Sequence, residues 1–383
     1  MRYVTALLLC LLVAVPAHAS NRPTDDEVKR VVTQEVQKLV RGAGAAVAVR
    51  IDGRTLFFNF GFADRTSRRA VTSDSLFNLA SVSKVFDATL LALAVRQGEV
   101  SFDDPVGKYI GELGHGGDIR DVTLGQLMTF TSGFRLPQDH PPFPAAHYTL
   151  AKFLDVLKTW KRDPDHQRGQ QYLYSHAGFM LLHVALERRF GAPYAALLEQ
   201  KLLRRLGLSS TTLPVRGAHS AGTFAPSLRG RVVQGYSEHG KPLGKPGDIQ
   251  GHYYWPGSGQ MFASARDMAT FLAAHLGEEP DDPPLRDAIE LTHREVVPVR
   301  QHVMQAHAWE AHHGPMTIID KNGGLSNSTA YIGMIPRERL GTIILINRGW
   351  LDGREIGHPI LLRLALPETT WPVRQWPYAT RLR

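Results

Sequence analysis

The chain has 383 residues with a formal net charge of +8, which is long enough for one large domain or two interleaved ones. Its lysines and arginines are scattered and form no basic tract with interleaved aromatic residues, which argues against a nucleic-acid partner. Its one cysteine, Cys10, lies in the extreme N-terminal segment, so the rest of the chain has no disulfide, no thiol nucleophile and no thiolate metal ligand.

The N-terminus has the pattern of a secretory signal. Met1-Arg2 is followed by an apolar core from Val4 to Val15 and by Ala17-His18-Ala19, a small-residue cleavage site. We expect residues 1–19 to be a signal peptide and Ser20 to begin the mature chain. The apolar run is shorter than the roughly 20 residues that span a bilayer. The sequence therefore predicts a periplasmic protein with no membrane span.

The first elements of the mature chain are a helix and a hairpin. Thr24–Glu27 is a capping box, and the apolar spacing over Val28–Val40 predicts an amphipathic helix. Gly44–Arg50 reads as a strand, Asp52-Gly53 is a hairpin turn signal, and Thr55–Phe62 is the expected return strand.

A helix carrying a serine and a lysine follows. Its apolar spacing predicts a helix from Val82, and Gly98 is expected as its C-terminal cap. Ser81 and Lys84 are three residues apart and therefore share a face. A desolvated lysine can act as the base that activates a serine, and N–H groups at a helix start can stabilise an oxyanion. The alternative is that Ser81 only caps a buried helix while Lys84 reaches solvent, since this spacing alone is a weak signal.

The middle of the chain reads as mainly helical and its last third as strands. Helices are expected at Thr149–Lys161, His176–Phe190, Pro193–Leu206 and from Ser264 through Leu276, with irregular loops at Gln138–Ala146 and Val215–Gly259 and a linker at Glu278–Pro284. Strands are expected at Val303–His312, Met316–Lys321, Ala330–Ile335 and Thr342–Asn347, before a helix at Arg354–Ala365. Strands at both chain ends predict one antiparallel sheet with an inserted helical region.

Two further clusters can complete a site around Ser81. Tyr174 lies at the entry to a helix, and Lys321 lies at the end of a strand before Gly323-Gly324. A tyrosine held between two ammonium groups would have its pKa lowered and could carry protons. The alternatives are an ordinary helix-entry aromatic residue for Tyr174 and an exposed strand-end charge for Lys321.

Taken together, the order Ser-x-x-Lys, Tyr-Ser-x and Lys-x-Gly resembles the penicillin-recognising serine hydrolases. The tyrosine in the middle motif resembles the branch of the class C (AmpC-type) β-lactamases, D-Ala-D-Ala carboxypeptidases and related esterases. The resemblance implies an α/β (α+β) fold of the serine β-lactamase/transpeptidase type. It also implies a single catalytic domain over residues 20–383, with the sheet from residues 20–80 and about 300–383 and mainly helices from about 81–299.

The resemblance also implies roles for individual residues. Ser81 would be acylated, and Lys84 and Tyr174 would share the proton transfers. Lys321 would bind the substrate carboxylate, and the N–H groups of Ser81 and Gly324 would form the oxyanion hole.

Three substrate-binding positions are less typical of that family. His176 stands where the family usually has Asn, and Asn322 where it usually has Thr or Ser. Asn347 resembles the family's late carboxylate-binding asparagine, although it also suits a turn at a strand end. A histidine can donate or accept a hydrogen bond but titrates near neutral pH.

The chain has 17 histidines, none in a recognised metal-ligand spacing. We expect no metal and no cofactor. The alternative is a divalent metal such as zinc held by histidines, for which His176, His307, His312 and His313 are candidates.

These features predict an exported, monomeric serine β-lactamase of the class C type that opens β-lactam rings through an acyl-enzyme. Its partner would be a small-molecule substrate. One alternative is a D-Ala-D-Ala carboxypeptidase, D-amino-acid peptidase or esterase. Another is a penicillin-binding sensor or cell-wall binding module that is acylated and never turns over.

Overall fold

The computed structural model describes residues 22–40, 42–136, 149–214, 223–248, 260–278 and 281–366. The predicted signal peptide, the loop Gln138–Ala146 and parts of Val215–Gly259 lie outside these ranges. The helices are α1 Asp25–Leu39, α2 Ser83–Arg96, α3 Leu124–Met128, α4 Leu150–Thr159, α5 His176–Phe190, α6 Tyr194–Leu198, α7 Pro226–Arg229, α8 Ala265–His275, α9 Pro283–Thr292 and α10 Arg354–Ala365. The strands are β1 Ala45–Ile51, β2 Arg54–Phe60, β3 Phe62–Asp64, β4 Arg69–Ala70, β5 Phe77–Asn78, β6 Phe262–Ala263, β7 Val297–Arg300, β8 Val303–Gln305, β9 Glu310–His312, β10 Ile318–Leu325, β11 Ser328–Ile335 and β12 Leu340–Ile346.

Eight of these strands form one antiparallel sheet in the order β2-β1-β12-β11-β10-β9-β8-β7. The first and last strands of the chain meet where β1 pairs with β12, from Ala45 opposite Ile346 to Ile51 opposite Leu340. This pairing joins the two chain ends in one sheet, with helices on both faces. The expected fold, a sheet built from both termini with an inserted helical region, is confirmed.

The residues of β1 alternate between two cores. Val47 and Val49 pack with α1 and α10 on one face, while Ala46 and Ala48 belong to the larger core on the other. Successive side chains of a strand point to opposite faces, so an uninterrupted apolar run is what a strand buried on both faces requires. The small alanines let α8 pack closely against this strand.

The turn before α2 positions the candidate nucleophile. Ala80–Val82 form a 3₁₀ turn, and α2 continues directly from it at Ser83. Ala80 has a left-handed φ of 47°, and its N–H donates to Asn78 Oδ1 at 2.7 Å. A non-glycine residue in this conformation is strained and is retained only where its surroundings hold it. Ser81 therefore sits on a rigid backbone between β5 and α2.

Sequence patterns failed at three places in the last third, and one of them is strand β7, Val297–Arg300, which was not expected. Residues expected to form a linker begin α9, because Pro283 and Pro284 occupy its first turn, where no backbone N–H is needed, and Asp282 caps it. The expected strand Val303–His312 is two short strands, β8 and β9, because the chain turns at residues 306–309.

Within the described residues, no helix is both long enough and apolar enough to span a bilayer.

Candidate active site

Ser81, Lys84 and Tyr174 meet at the start of α2. The Ser81 Oγ lies 2.8 Å from the Tyr174 hydroxyl and 3.4 Å from Lys84 Nζ. Lys84 reaches Ser81 because it is one helical turn further along α2, and Tyr174 reaches it from the residues just before α5. The serine hydroxyl thus has two groups beside it that can take or return its proton.

Lys84 is completely buried. Burial lowers its pKa from the ordinary 10.5 to about 8, and the carboxylate of Asp87 partly opposes that effect. A pKa near 8 leaves about a tenth of the side chain neutral at pH 7. Lys84 is therefore able to act as a base near neutral pH.

The phenol of Tyr174 behaves differently from the sequence-based expectation. Its ring stacks on Phe130, with centroids 4.6 Å apart, and Lys84 Nζ and Lys321 Nζ lie 5.6 Å and 5.3 Å from its centroid. Burial raises the pKa of Tyr174, and this outweighs the lowering by Lys321 and by the hydrogen bond with Ser81. The expectation of a lowered pKa is wrong, because the same burial that brings the two ammonium groups close also disfavours the phenolate. At rest Tyr174 is a neutral phenol.

Lys321 projects from β10 into the same site and is almost fully buried, not exposed at a strand end. Its Nζ lies 5.2 Å from the centroid of Phe130 and 4.0 Å from Glu310 Oε1. Burial lowers the pKa of Lys321, while Tyr174 and Glu310 act in the opposite direction. The site therefore holds two buried lysines on either side of one tyrosine.

The strand carrying Lys321 lies tightly against the turn that carries Ser81. A Cβ added to Gly323 would come within 2.8 Å of both Ser81 N and Leu79 O, so only glycine fits there. Gly323 is the neighbour of Gly324, the expected second oxyanion donor. Its close approach therefore places this part of β10 beside the start of α2. Backbone N–H groups fixed in this way are suited to stabilising a developing oxyanion.

His176 is the first residue of α5 and lines the same site. Its ring meets Tyr174 edge to face at 5.1 Å. Burial, together with the positive charges of Lys84 and Lys321, lowers the pKa of His176 well below its ordinary 6.5. The imidazole is consequently neutral at physiological pH.

Two of the expected substrate-binding residues point elsewhere. Asn347 is fully buried; its Oδ1 accepts from Gly44 N at 2.7 Å, and its Nδ2 donates to Phe62 O at 3.0 Å. Its amide ties the residue before β1 and the start of β3 to the end of β12. That both of its polar atoms are used in this way favours a structural role, and the expected carboxylate contact stays a prediction. Asn322 is on the opposite face of β10 from Lys321, and its Oδ1 accepts from Gly353 N at 3.0 Å, which anchors the start of α10. This contact favours a structural role for Asn322, and its expected substrate contact likewise stays a prediction.

A buried ionic network lies behind Lys321. Arg354 donates to both carboxylate oxygens of Asp320, through Nη2 at 2.8 Å and Nε at 3.0 Å, and its Nη2 lies 3.1 Å from Glu310. The Nε2 atoms of His312 and His358 lie 3.2 Å and 2.6 Å from Asp320. Although burial raises the pKa of Asp320, Arg354 and His312 hold it well below its usual range. The negative charges of Asp320 and Glu310 are thus balanced by the positive charges of Arg354 and Lys321.

The described residues offer one group with the spacing of a metal site, His312, Asp320 and His358. These residues do not suit a divalent ion, because the guanidinium of Arg354 already occupies both oxygens of Asp320 and would be repelled by a bound cation. The other candidates are dispersed: His313 pairs with Glu295, and His307 stacks on Phe102.

Comparison with known proteins places this geometry in a family. A family model described as "Beta-lactamase" matches residues 32–366. A β-lactamase of Pseudomonas fluorescens is 26% identical over 373 residues, which cover 88% of this chain and 98% of that protein.

Solved structures agree with this match. A structure titled "A class C beta-lactamase" superposes with a TM-score of 0.77 at 22% identity, covering 92% of this chain and 99% of its own. The D-alanine carboxypeptidase AmpC from Burkholderia cenocepacia gives a TM-score of 0.74 at 25% identity, covering 88% and 99%. With a family model matched over most of its length and a class C β-lactamase-like fold, the chain belongs to the Beta-lactamase family of serine hydrolases.

Proposed function

We propose that this protein opens β-lactam rings through an acyl-enzyme on Ser81. The observation that carries the proposal is the position of Ser81 Oγ, 2.8 Å from the Tyr174 hydroxyl and 3.4 Å from Lys84 Nζ. A serine becomes an effective nucleophile when a neighbouring base takes its proton during attack. The membership of a β-lactamase family supports the substrate class.

In acylation, the neutral fraction of Lys84 takes the proton of Ser81 as Oγ bonds to the lactam carbonyl carbon. The N–H groups of Ser81 and Gly324 hold the carbonyl oxygen as it becomes negative. The C–N bond then breaks, and the neutral Tyr174 donates its proton to the departing nitrogen. The ammonium of Lys84 returns a proton to Tyr174, so that the net change is transfer of the serine proton to the lactam nitrogen.

Deacylation uses the same groups with water. Water gives one proton to the Lys84–Tyr174 pair while its oxygen bonds to the acyl carbon. The ester bond to Ser81 breaks, and Oγ regains a proton from the pair. The raised pKa of Tyr174 and the lowered pKa of Lys84 move the two groups' proton affinities apart, so Lys84 is the member of the pair that accepts the proton and Tyr174 stays a neutral phenol between transfers.

The two positive charges at the site favour a substrate with a carboxylate. The Glu310 Oε1 atom lies 4.0 Å from Lys321 Nζ, which is too far for a hydrogen bond. The Nζ group therefore has N–H donors available to bind a substrate anion. β-Lactams carry a carboxylate next to the scissile amide, and so do peptides that end in D-Ala-D-Ala. This shared chemistry makes a D-alanine carboxypeptidase activity the second candidate, supported by the structural neighbour of that name.

A kinetic panel separates the two activities and the esterase alternative. The panel contains a penicillin, a cephalosporin, a carbapenem, a D-Ala-D-Ala peptide and a nitrophenyl ester. We expect the highest kcat/KM for a β-lactam. A higher value for the peptide would assign a carboxypeptidase, and stable acylation without turnover of any compound would assign a penicillin-binding sensor.

Three further properties belong to the proposal. The protein acts without a metal or cofactor, so exhaustive dialysis against a chelator should leave turnover unchanged. It is exported to the periplasm through residues 1–19, which cell fractionation and N-terminal sequencing of the mature protein test. It acts as a monomer without nucleic acid, which light scattering of the purified protein tests.

A further inference from the structure

A buried carboxylate lies one helical turn beyond Lys84. Asp87 is three residues further along α2, is 1% exposed, and shares the buried face of that helix with Lys84. Burying a carboxylate is costly unless it is paired or hydrogen-bonded. An aspartate buried at such a place in a mostly apolar helix therefore requires partners.

Two side chains from other helices contact Asp87, and one of them, Tyr194, makes a hydrogen bond to it. The Tyr194 hydroxyl, at the start of α6, donates to Asp87 Oδ1 at 2.5 Å, and His183 Nε2, from α5, lies 3.0 Å from the same oxygen. The rings of His183 and Tyr194 stack with centroids 3.3 Å apart. Among the described residues, the second oxygen, Oδ2, has no hydrogen-bond donor. The carboxylate is thus fixed through Oδ1, and Oδ2 makes no competing hydrogen bond within the described residues.

The charges around Lys84 single out Asp87. The groups that face Lys84 from its own turn and from the other elements are Ser81, Tyr174, His176, Lys321 and Asp87. Of these, Asp87 is the anion. Helix α9 and the π-helical turn at 199–203 also pack on α2, but their charged side chains are exposed or paired elsewhere: Arg286, Asp287, Glu290, Glu199, and Lys201 with Glu99.

We propose that Asp87, hydrogen-bonded to Tyr194 and in contact with His183, is a positioning residue for acylation: its carboxylate is the buried counter-charge of the Lys84 ammonium and sets the pH range in which Lys84 accepts the serine proton. This inference rests on the proposed function. Without the carboxylate, the protonated form of Lys84 would lose its buried counter-charge. Lys84 would then lose its proton at lower pH and would be a weaker base toward the serine hydroxyl.

The test compares the pH dependence of acylation by a fluorescent penicillin in three proteins: wild type, Asp87→Asn and Glu35→Gln. Glu35 is the matched control, a buried carboxylate on α1 that pairs with Arg363 on the other side of the sheet. In Asp87→Asn we expect the inflection near pH 8 to move to lower pH by about one pH unit or more, and the maximal rate to fall about 10- to 100-fold. Glu35→Gln should keep the wild-type inflection.

An unchanged inflection in folded Asp87→Asn would overturn the inference, whatever the loss in rate, because a purely structural aspartate would lower the rate without moving the profile. If Asp87→Asn does not fold, Tyr194→Phe should move the inflection in the same direction by a smaller amount. An unchanged profile in that variant would overturn the inference equally. Failure of the wild-type protein to be acylated would contradict the proposed function instead.

Discussion

The Ser81 hydroxyl and the Tyr174 hydroxyl lie 2.8 Å apart, and the tyrosine of this pair is held neutral by burial. The neighbouring Lys84 has the lowered pKa of a base, about 8. In the proposed mechanism, the lysine therefore makes the first proton transfer and the tyrosine returns a proton to the leaving group. This division follows from burial, which disfavours the charged form of a side chain. Burial therefore raises the pKa of the tyrosine, whose deprotonated form is an anion, and lowers the pKa of the lysine, whose protonated form is a cation.

The cost of burying Lys84 gives a prediction about stability. Because the pKa of Lys84 is lowered in the folded protein, the unfolded chain binds the extra proton between about pH 8 and 10.5, and stability rises with pH over that range. Lys84→Met should therefore raise the free energy of unfolding at pH 7 by about 3 kcal/mol. The gain should shrink toward pH 10.5.

Denaturant unfolding of both proteins at pH 7 and pH 10 measures this difference. Lys29→Met, at an exposed position of α1, serves as the control and should change little at either pH. A gain that is the same at both pH values would show that Lys84 is not desolvated as the structure indicates.

Lys321 gives a prediction about substrate choice. If its Nζ binds the substrate carboxylate, Lys321→Ala should lower kcat/KM about 10- to 150-fold more for β-lactams than for neutral esters, since a charge-assisted contact contributes about 1.5–3 kcal/mol. The measurement is kcat/KM on one penicillin and one nitrophenyl ester. Equal losses on both substrates would mean that Lys321 does not act by recognising the substrate carboxylate. It would then act through Tyr174, whose ring centroid lies 5.3 Å from Lys321 Nζ.

We expect His176 to affect which size of substrate side chain is preferred, and not the pH dependence of activity. Its pKa is lowered well below 6.5, so it stays neutral above that pH and contributes no inflection between pH 6 and 8. The ring is bulkier than the amide of asparagine and should crowd a large acylamino side chain. His176→Asn should improve kcat/KM on a β-lactam with a bulky side chain relative to one with a small side chain, with the same pH profile. An inflection near pH 6.5 that disappears in the variant, or an unchanged substrate ratio, contradicts this assignment.

Asn347 should matter for stability and not for carboxylate recognition. Asn347→Ala leaves the buried N–H of Gly44 without its acceptor, which should cost about 1–3 kcal/mol of the free energy of unfolding. Thermal unfolding measures that loss. The ratio of kcat/KM between a β-lactam and a neutral ester should stay at the wild-type value, and a selective loss on the β-lactam would restore a substrate role for this residue.

Much of the fold was predictable because its signals are local. The capping box at Thr24, the helix from His176 to Phe190 and the final helix from Arg354 depend on spacing and caps that a short stretch of sequence contains. Helix α9 was missed because Pro283 and Pro284 look like breakers unless they are placed in a first turn.

The site was predictable only in part, for a similar reason. Ser81, Lys84, Tyr174 and Lys321 belong to short motifs, and the structure brings them together. The roles of Asn322 and Asn347 depend on which way a side chain points at a strand end, and that is decided by distant partners such as Gly353 and Gly44. The network of Glu310 and Arg354 behind Lys321 has no sequence signal beyond charged residues in apolar surroundings.

The most direct test of the account is intact-protein and peptide mass spectrometry after brief exposure to a penicillin. The wild-type protein should gain the mass of one penicillin, located on the peptide that carries Ser81, and Ser81→Ala should gain none and lose several orders of magnitude in turnover. An adduct on Ser83 or Ser175, or undiminished turnover in Ser81→Ala, would contradict the account.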